Sequence, residues 1–173
     1  LCKVFKRERN RTMIQRLIFS MVDYYAGDPK RIQHFLKVHS FAKLIGMQEG
    51  LDGTVLQTLE AAAVVHDIGI KPAEKKFHSS AGKYQEQEGV QPAHDLLTAL
   101  GFDSDCVQRV CYLVGHHHTY HAVDGLDYQI LIEADFLVNL YEDDASASAV
   151  QAAYKNIFKT KTGKQLCHTI FCI

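Results

Sequence analysis

The chain has 173 residues, 47% of them hydrophobic, enough for one domain with a proper core. A net charge of −1 gives no global field to attract nucleic acid or an acidic membrane, although one pocket can still be locally basic. The five cysteines (Cys2, Cys106, Cys111, Cys167, Cys172) are odd in number and include no Cys-x-x-Cys pair, which argues against a disulfide framework or a structural zinc cluster and suits reduced thiols in a cytosol.

The pattern along the chain is nearly all helical, with no strand-like alternation, repeat or linker, so the expected fold class is all-α in one domain over 1–173. The start, Lys3-Val-Phe-Lys-Arg-Glu-Arg9, reads as a charged helix start and not as an apolar signal core. Over Arg11–Tyr25, Met13, Leu17, Ile18, Met21 and Val22 form one apolar stripe. Gly27-Asp28-Pro29 ends it and opens a second helix, with Asp28 placed to cap and Pro29 at the first helical position. That helix runs to Gln48 with Phe35, Val38, Phe41, Ala42 and Ile45 inward, and Gly50-Leu-Asp-Gly53 closes it. Thr54–Val65 is a third helix, apolar on nearly every side towards its end. Residues 68–86, with Pro72 and Gly82, read as a long loop with at most one short helix, the kind of segment that serves as a lid. Helices are expected again over Val90–Leu100, Ser104–Gly115, Tyr128–Tyr141, Ala145–Phe158 and Thr162–Phe171. No run reaches the roughly 18 apolar residues of a membrane span.

The third helix ends in His66-Asp67, followed by Gly69, so an apolar run terminates in two side chains that bind metals. Imidazole nitrogen with carboxylate oxygen suits a borderline divalent cation: iron, manganese, nickel or zinc. The chain offers more of the same. His34 shares the inward face of the second helix with Val38 and Phe41. Asp135 lies in the apolar stripe of Leu131 and Val138, where a carboxylate is costly unless paired or bound to a cation. His116-His117-His118 follow Gly115, and Gly69 is expected to free the backbone to turn after the His-Asp pair.

The order His…His-Asp…Asp, each ligand in a helical context, resembles the HD-domain metal-dependent phosphohydrolase superfamily over residues 28–142. The resemblance implies an HD-type helical bundle with the metal site between helices. In mononuclear members the matching ligands are His34, His66, Asp67 and Asp135; binuclear members add histidines, for which the apolar residue Val114 selects His117, with His118 next and His116 left to touch substrate. Binuclear relatives also carry a histidine some way after the His-Asp pair. Here Tyr84-Gln-Glu-Gln-Glu-Gly-Val90 holds none, and Glu86, ahead of Glu88, is the expected oxygen substitute, so one or two ions remain open. Lys71 stands four residues after Asp67 where the family commonly has Lys three after.

The chemistry so implied is hydrolysis of a phosphoester or phosphoanhydride in a small phosphorylated compound, with a nucleotide the expected substrate. Asp67, Lys71 and His116 are the candidate catalytic groups, and Arg31, Lys71, Lys83 and Tyr120 the candidate substrate contacts. The competing reading is a non-catalytic metal- or nucleotide-binding sensor of the same fold. A nucleic-acid-binding domain would need a basic face, and Arg7, Arg9, Arg11 and Arg16 supply only a short one interrupted by Glu8. A cytoplasmic location and, through the first or last helix, a homodimer are the remaining expectations.

Overall fold

The computed structural model describes the backbone of residues 2–173 and the side chains from residue 12 onward. The side chains of Cys2, Arg7, Glu8, Arg9 and Arg11 lie outside the described residues. In these bounds the chain is all-α: α1 (Cys2–Tyr24), α2 (Pro29–Gln48), α3 (Gly53–Val65), α4 (Ile70–Phe77), α5 (Gly82–Leu100), α6 (Ser104–Val114), α7 (Leu126–Glu142), α8 (Ala147–Asn156) and α9 (Lys161–Phe171). None of these helices is long and apolar enough to cross a membrane.

Capping residues set most of the starts. The Asp28 carboxylate accepts from Arg31 N ahead of Pro29, Asp52 accepts from Thr54 N and Val55 N, and Asp103 accepts from Cys106 N. α3 is the central element. Ala61 to Val65 are fully buried, because α1, α2, α6 and α7 surround that end, and this is why its sequence is apolar all round. α2 packs along both α3 and α7, while α4, α5 and α6 form a second group joined to the first mainly through α3, with α1 also touching α5. One apolar cluster runs from Ile14 and Leu17 of α1 to Cys167 of α9, and the described cysteines are free thiols.

The expectation of a loop over 68–86 is corrected. α4 occupies Ile70–Phe77 and α5 begins at Gly82, well ahead of Val90. Gly82, which read as part of the loop, is the first residue of α5, and Gly89 and Pro92 also lie within that helix. The glycines are there for close approach. A Cβ on Gly69 would lie 2.2 Å from Gln85 O and 2.8 Å from Gly89 N. Gly69 itself has φ −72°, ψ −12°, open to any residue. It serves contact with α5, not the conformational freedom expected of it.

Candidate metal centre

His66 and Asp67 sit where α3 gives way to a tight turn leading into α4. Two tyrosines from the end of α1 brace that turn: Tyr25 Oη donates to Asp67 O at 2.6 Å and Tyr24 Oη to Ile68 O at 2.9 Å. The turn points both side chains at α2 and α7. His34 Nε2 lies 3.3 Å from His66 Nε2, 3.4 Å from Asp67 Oδ2 and 3.2 Å from Asp135 Oδ1. His66 Nε2 lies 3.4 Å from Asp67 Oδ2 and 3.6 Å from Asp135 Oδ1. Four residues from three distant stretches of the sequence therefore meet at one point.

The hydrogen-bond partners behind these side chains decide which nitrogen faces the centre. His34 Nδ1 is 2.9 Å from Glu142 Oε2, His66 Nδ1 is 2.9 Å from Ala63 O, and His117 Nδ1 is 2.8 Å from Val114 O. All three partners accept, so each Nδ1 carries the hydrogen and each Nε2 is left bare towards the centre. His117 Nε2 is buried without a hydrogen-bond partner, 3.6 Å from Asp67 Oδ1. Bare nitrogens packed against one another and against carboxylates are costly unless a cation stands among them. The spacing suits one: four donors at bond lengths of about 2.0–2.1 Å in a tetrahedron lie roughly 3.4 Å apart. Two groups of candidate ligands share Asp67, one with His34 and His66 and the other with His117 and His118.

Protons stand in for positive charge otherwise. Burial would lower the pKa of His66, but the Asp67 and Asp135 carboxylates outweigh it and raise it to about 9. Burial likewise opposes the rise at His34, where Asp135 wins. Against the opposing effect of burial, the neighbouring histidines hold Asp67 down to about 2 and Asp135 well below the usual carboxylate range. His118 differs: burial, with other histidines close by, pushes it down to about 4, so it is neutral near pH 7.

The centre opens onto a cleft of about 360 Å³ whose walls include His34, Asp67, Gln85, His118, Asp135 and, at its rim, Lys30 and Arg31. Arg31 is engaged by Asp28 at 3.0 Å and Glu74 at 2.5 Å. Several expected contacts lie elsewhere. Lys71 turns back to α1, where Nζ donates to Tyr24 O and sits 5.0 Å from the Tyr24 ring and 5.3 Å from the Tyr25 ring. That corrects its expected catalytic and phosphate-binding place. Lys83 lies over Tyr84, 4.6 Å from the ring, and Tyr84 stacks on Phe77. His116 stacks on Tyr112 and its Nδ1 donates to Tyr112 O at 2.7 Å, away from the cleft. Glu86 is also not brought to either ligand group: its Oε1 accepts from His118 N at 3.0 Å and Thr119 Oγ1 at 3.1 Å, fixing the backbone of the histidine turn. Tyr120 is 45% exposed against Phe136, with its hydroxyl 3.5 Å from His118 Nδ1.

Sequence reasoning missed Glu142, Asn139, Gln85 and Lys30. The first two carried a signal: Asp135, Asn139 and Glu142 recur at spacings of four and three on α7, so they share a face. Asn139 Nδ2 donates to Asp135 Oδ1 at 2.9 Å, and Glu142 joins His34 to Lys37, 2.5 Å from its Nζ.

The HD domain family matches residues 31–152. The chain belongs to the HD domain family. An HD fold is also what the structure is similar to: a crystal structure of a predicted HD superfamily hydrolase from an uncultured Thermotogales bacterium superposes with a TM-score of 0.66 at 26% identity, covering 91% of this chain and 84% of that one. No curated protein matches the sequence. His34, His66, Asp67, His117, His118 and Asp135 all lie within the matched residues.

Proposed function

We propose that this HD protein is a divalent-metal-dependent phosphohydrolase that cleaves a phosphoester or phosphoanhydride in a small phosphorylated compound, a nucleotide. The observation that carries the reading is the set of bare Nε2 atoms of His34, His66 and His117 converging with Asp67 and Asp135 beside an open cleft. The likeness to a predicted HD superfamily hydrolase supports it.

His34, His66, Asp67 and Asp135 would hold the ion. Bound there, it supplies a Lewis acid that offsets phosphoryl charge and brings the ionisation of water from a pKa of about 15.7 to about 7. Asp67 is partly exposed to the cleft and has a second oxygen available to accept a hydrogen bond from an attacking water. Lys30 lies exposed on the cleft rim, placed to meet phosphate oxygens, whereas Arg31 is already neutralised by Asp28 and Glu74. The neutral His118 ring faces the same space.

The test is elemental analysis of protein purified without chelator, followed by a screen of phosphorylated compounds with the metal found. His66→Ala and Asp67→Ala are expected to lose both metal and turnover. Full turnover and full metal content in both variants would overturn the reading.

A further inference from the structure

We propose that the two ion positions sharing Asp67 are unequal, and that Gln85 makes them so by committing the imidazole of His118 to a hydrogen bond instead of to coordination. The inference rests on the metal reading above and assigns a role to a residue of α5 that lies outside the ligand set.

Four histidines surround the centre, and they are supported in two different ways. For His34, His66 and His117 the acceptor is behind the ring, on Nδ1, which leaves Nε2 bare. For His118 the acceptor faces Nε2: Gln85 Oε1 is 3.3 Å away. The orientation of that amide is fixed. Gln85 Nε2 donates at 2.7 Å to Ser80 O, a carbonyl that can only accept, so the amide oxygen must be the end turned to the imidazole. An amide oxygen also only accepts. His118 therefore carries its hydrogen on Nε2, turned to Gln85, whereas the other three carry theirs on Nδ1. Its Nδ1 meets the Tyr120 hydroxyl at 3.5 Å.

α5 holds the ring in this state at further points. Glu86 Oε1 accepts from the His118 backbone N–H. A Cβ on Gly82 would lie 2.6 Å from His118 Cγ, so the first turn of α5 is cut away to receive the ring. Gln85 is itself buried. Its place in the helix, its amide direction and the fit of the ring all select one arrangement.

The consequence is a contrast between the two positions. The first has four protein donors, from His34, His66, Asp67 and Asp135. The second keeps Asp67 Oδ1 and the orphaned His117 Nε2, 3.6 Å apart, while the neighbouring His118 offers an N–H of the wrong polarity for a cation. A second ion must break the Gln85–His118 contact or do without that ligand. Changes in such supporting hydrogen bonds are worth roughly 10–100-fold in metal affinity.

The test is zinc titration of metal-free, full-length protein by calorimetry, with bound zinc counted by equilibrium dialysis and elemental analysis. The wild type is expected to bind one tight equivalent and a second at least about tenfold more weakly. Gln85→Leu removes the acceptor and should tighten the second equivalent, whereas a Gln85 oxygen serving as a ligand would make the same variant weaken it. Gln85→His should bring the two affinities close together. Imidazole ¹⁵N spectra of the wild-type protein with one zinc equivalent provide a readout independent of any variant's folding: Nε2–H for His118 and Nδ1–H for His34, His66 and His117. Two equally tight ions in the wild type, a weakened second ion in Gln85→Leu, or Nδ1–H on His118 would each overturn the inference while leaving the metal centre standing. Absence of any zinc binding would overturn both.

Discussion

Replacing Gly69 by alanine tests whether the His-Asp turn is set by contact with α5. The added Cβ would stand 2.2 Å from Gln85 O, 2.8 Å from Gly89 N and 2.9 Å from Gly89 Cα, all backbone atoms, where ordinary contact begins at 3.4 Å. No side chain can swing aside, so α5 or the turn must retreat by about 1 Å. Overpacking of this kind costs about 1–3 kcal/mol. Alanine at φ −72° also restricts the unfolded chain, which returns about 0.4–1 kcal/mol. At the middle of these ranges the net loss is about 1.3 kcal/mol, which for a protein of this size is roughly 3–5 °C in Tm. Gly53→Ala is the control, since nothing lies within 4 Å of a Cβ there. Thermal unfolding of both variants by circular dichroism, with a zinc titration of each, gives the answer. Because a retreat of α5 would move Gln85 and a retreat of the turn would move Asp67, Gly69→Ala should also change metal affinity, whereas Gly53→Ala should not. A Gly69→Ala protein that melts and binds zinc like Gly53→Ala would refute the close-approach argument.

Three further outcomes follow from the same geometry. Glu142→Gln keeps an acceptor for His34 Nδ1 but removes its charge, and should weaken the first ion by roughly 10–100-fold in a chelator competition while leaving the helical spectrum intact. In the metal-free protein the raised pKa of His66, about 9, contributes stability that is fully present below the unfolded value of about 6.5 and is lost as pH rises through 9. The lowered Asp67 contributes stability present above about 3.9 and lost as pH falls through 2. Ion binding displaces the His66 proton, so zinc affinity should rise by about tenfold per pH unit for each proton released between pH 6.5 and 9, opposite to the trend of apoprotein stability. A pH-independent zinc affinity across that range would contradict the assigned protonation. Lys30→Ala should raise KM for the substrate found in the screen by several-fold with kcat and zinc content unchanged, and an unchanged KM would remove Lys30 from phosphate binding.

What could be read from the sequence divides along a physical line. His34, His66, Asp67 and Asp135 could be named only together, from imidazoles and carboxylates in apolar helical contexts whose order resembles that of the HD superfamily, since each alone reads as an ordinary core or helix-end residue. Direction could not be read in the same way. Lys71 and Arg31 are both cations near the centre in sequence, yet one turns back over two tyrosine rings and the other is consumed by Asp28 and Glu74. Glu86 and Gln85 are adjacent, and helical geometry sends the charged one to a backbone amide and the neutral one to the histidine ring. The loop expected over 68–86 failed for a related reason. Glycine lowers helix propensity locally, but Gly69 and Gly89 let the turn and α5 touch, and tertiary contact outweighs a propensity cost of about 1 kcal/mol per glycine. The segment that read as a lid-like loop is therefore a helical wall of the cleft, and Gln85, which meets His118, stands on it.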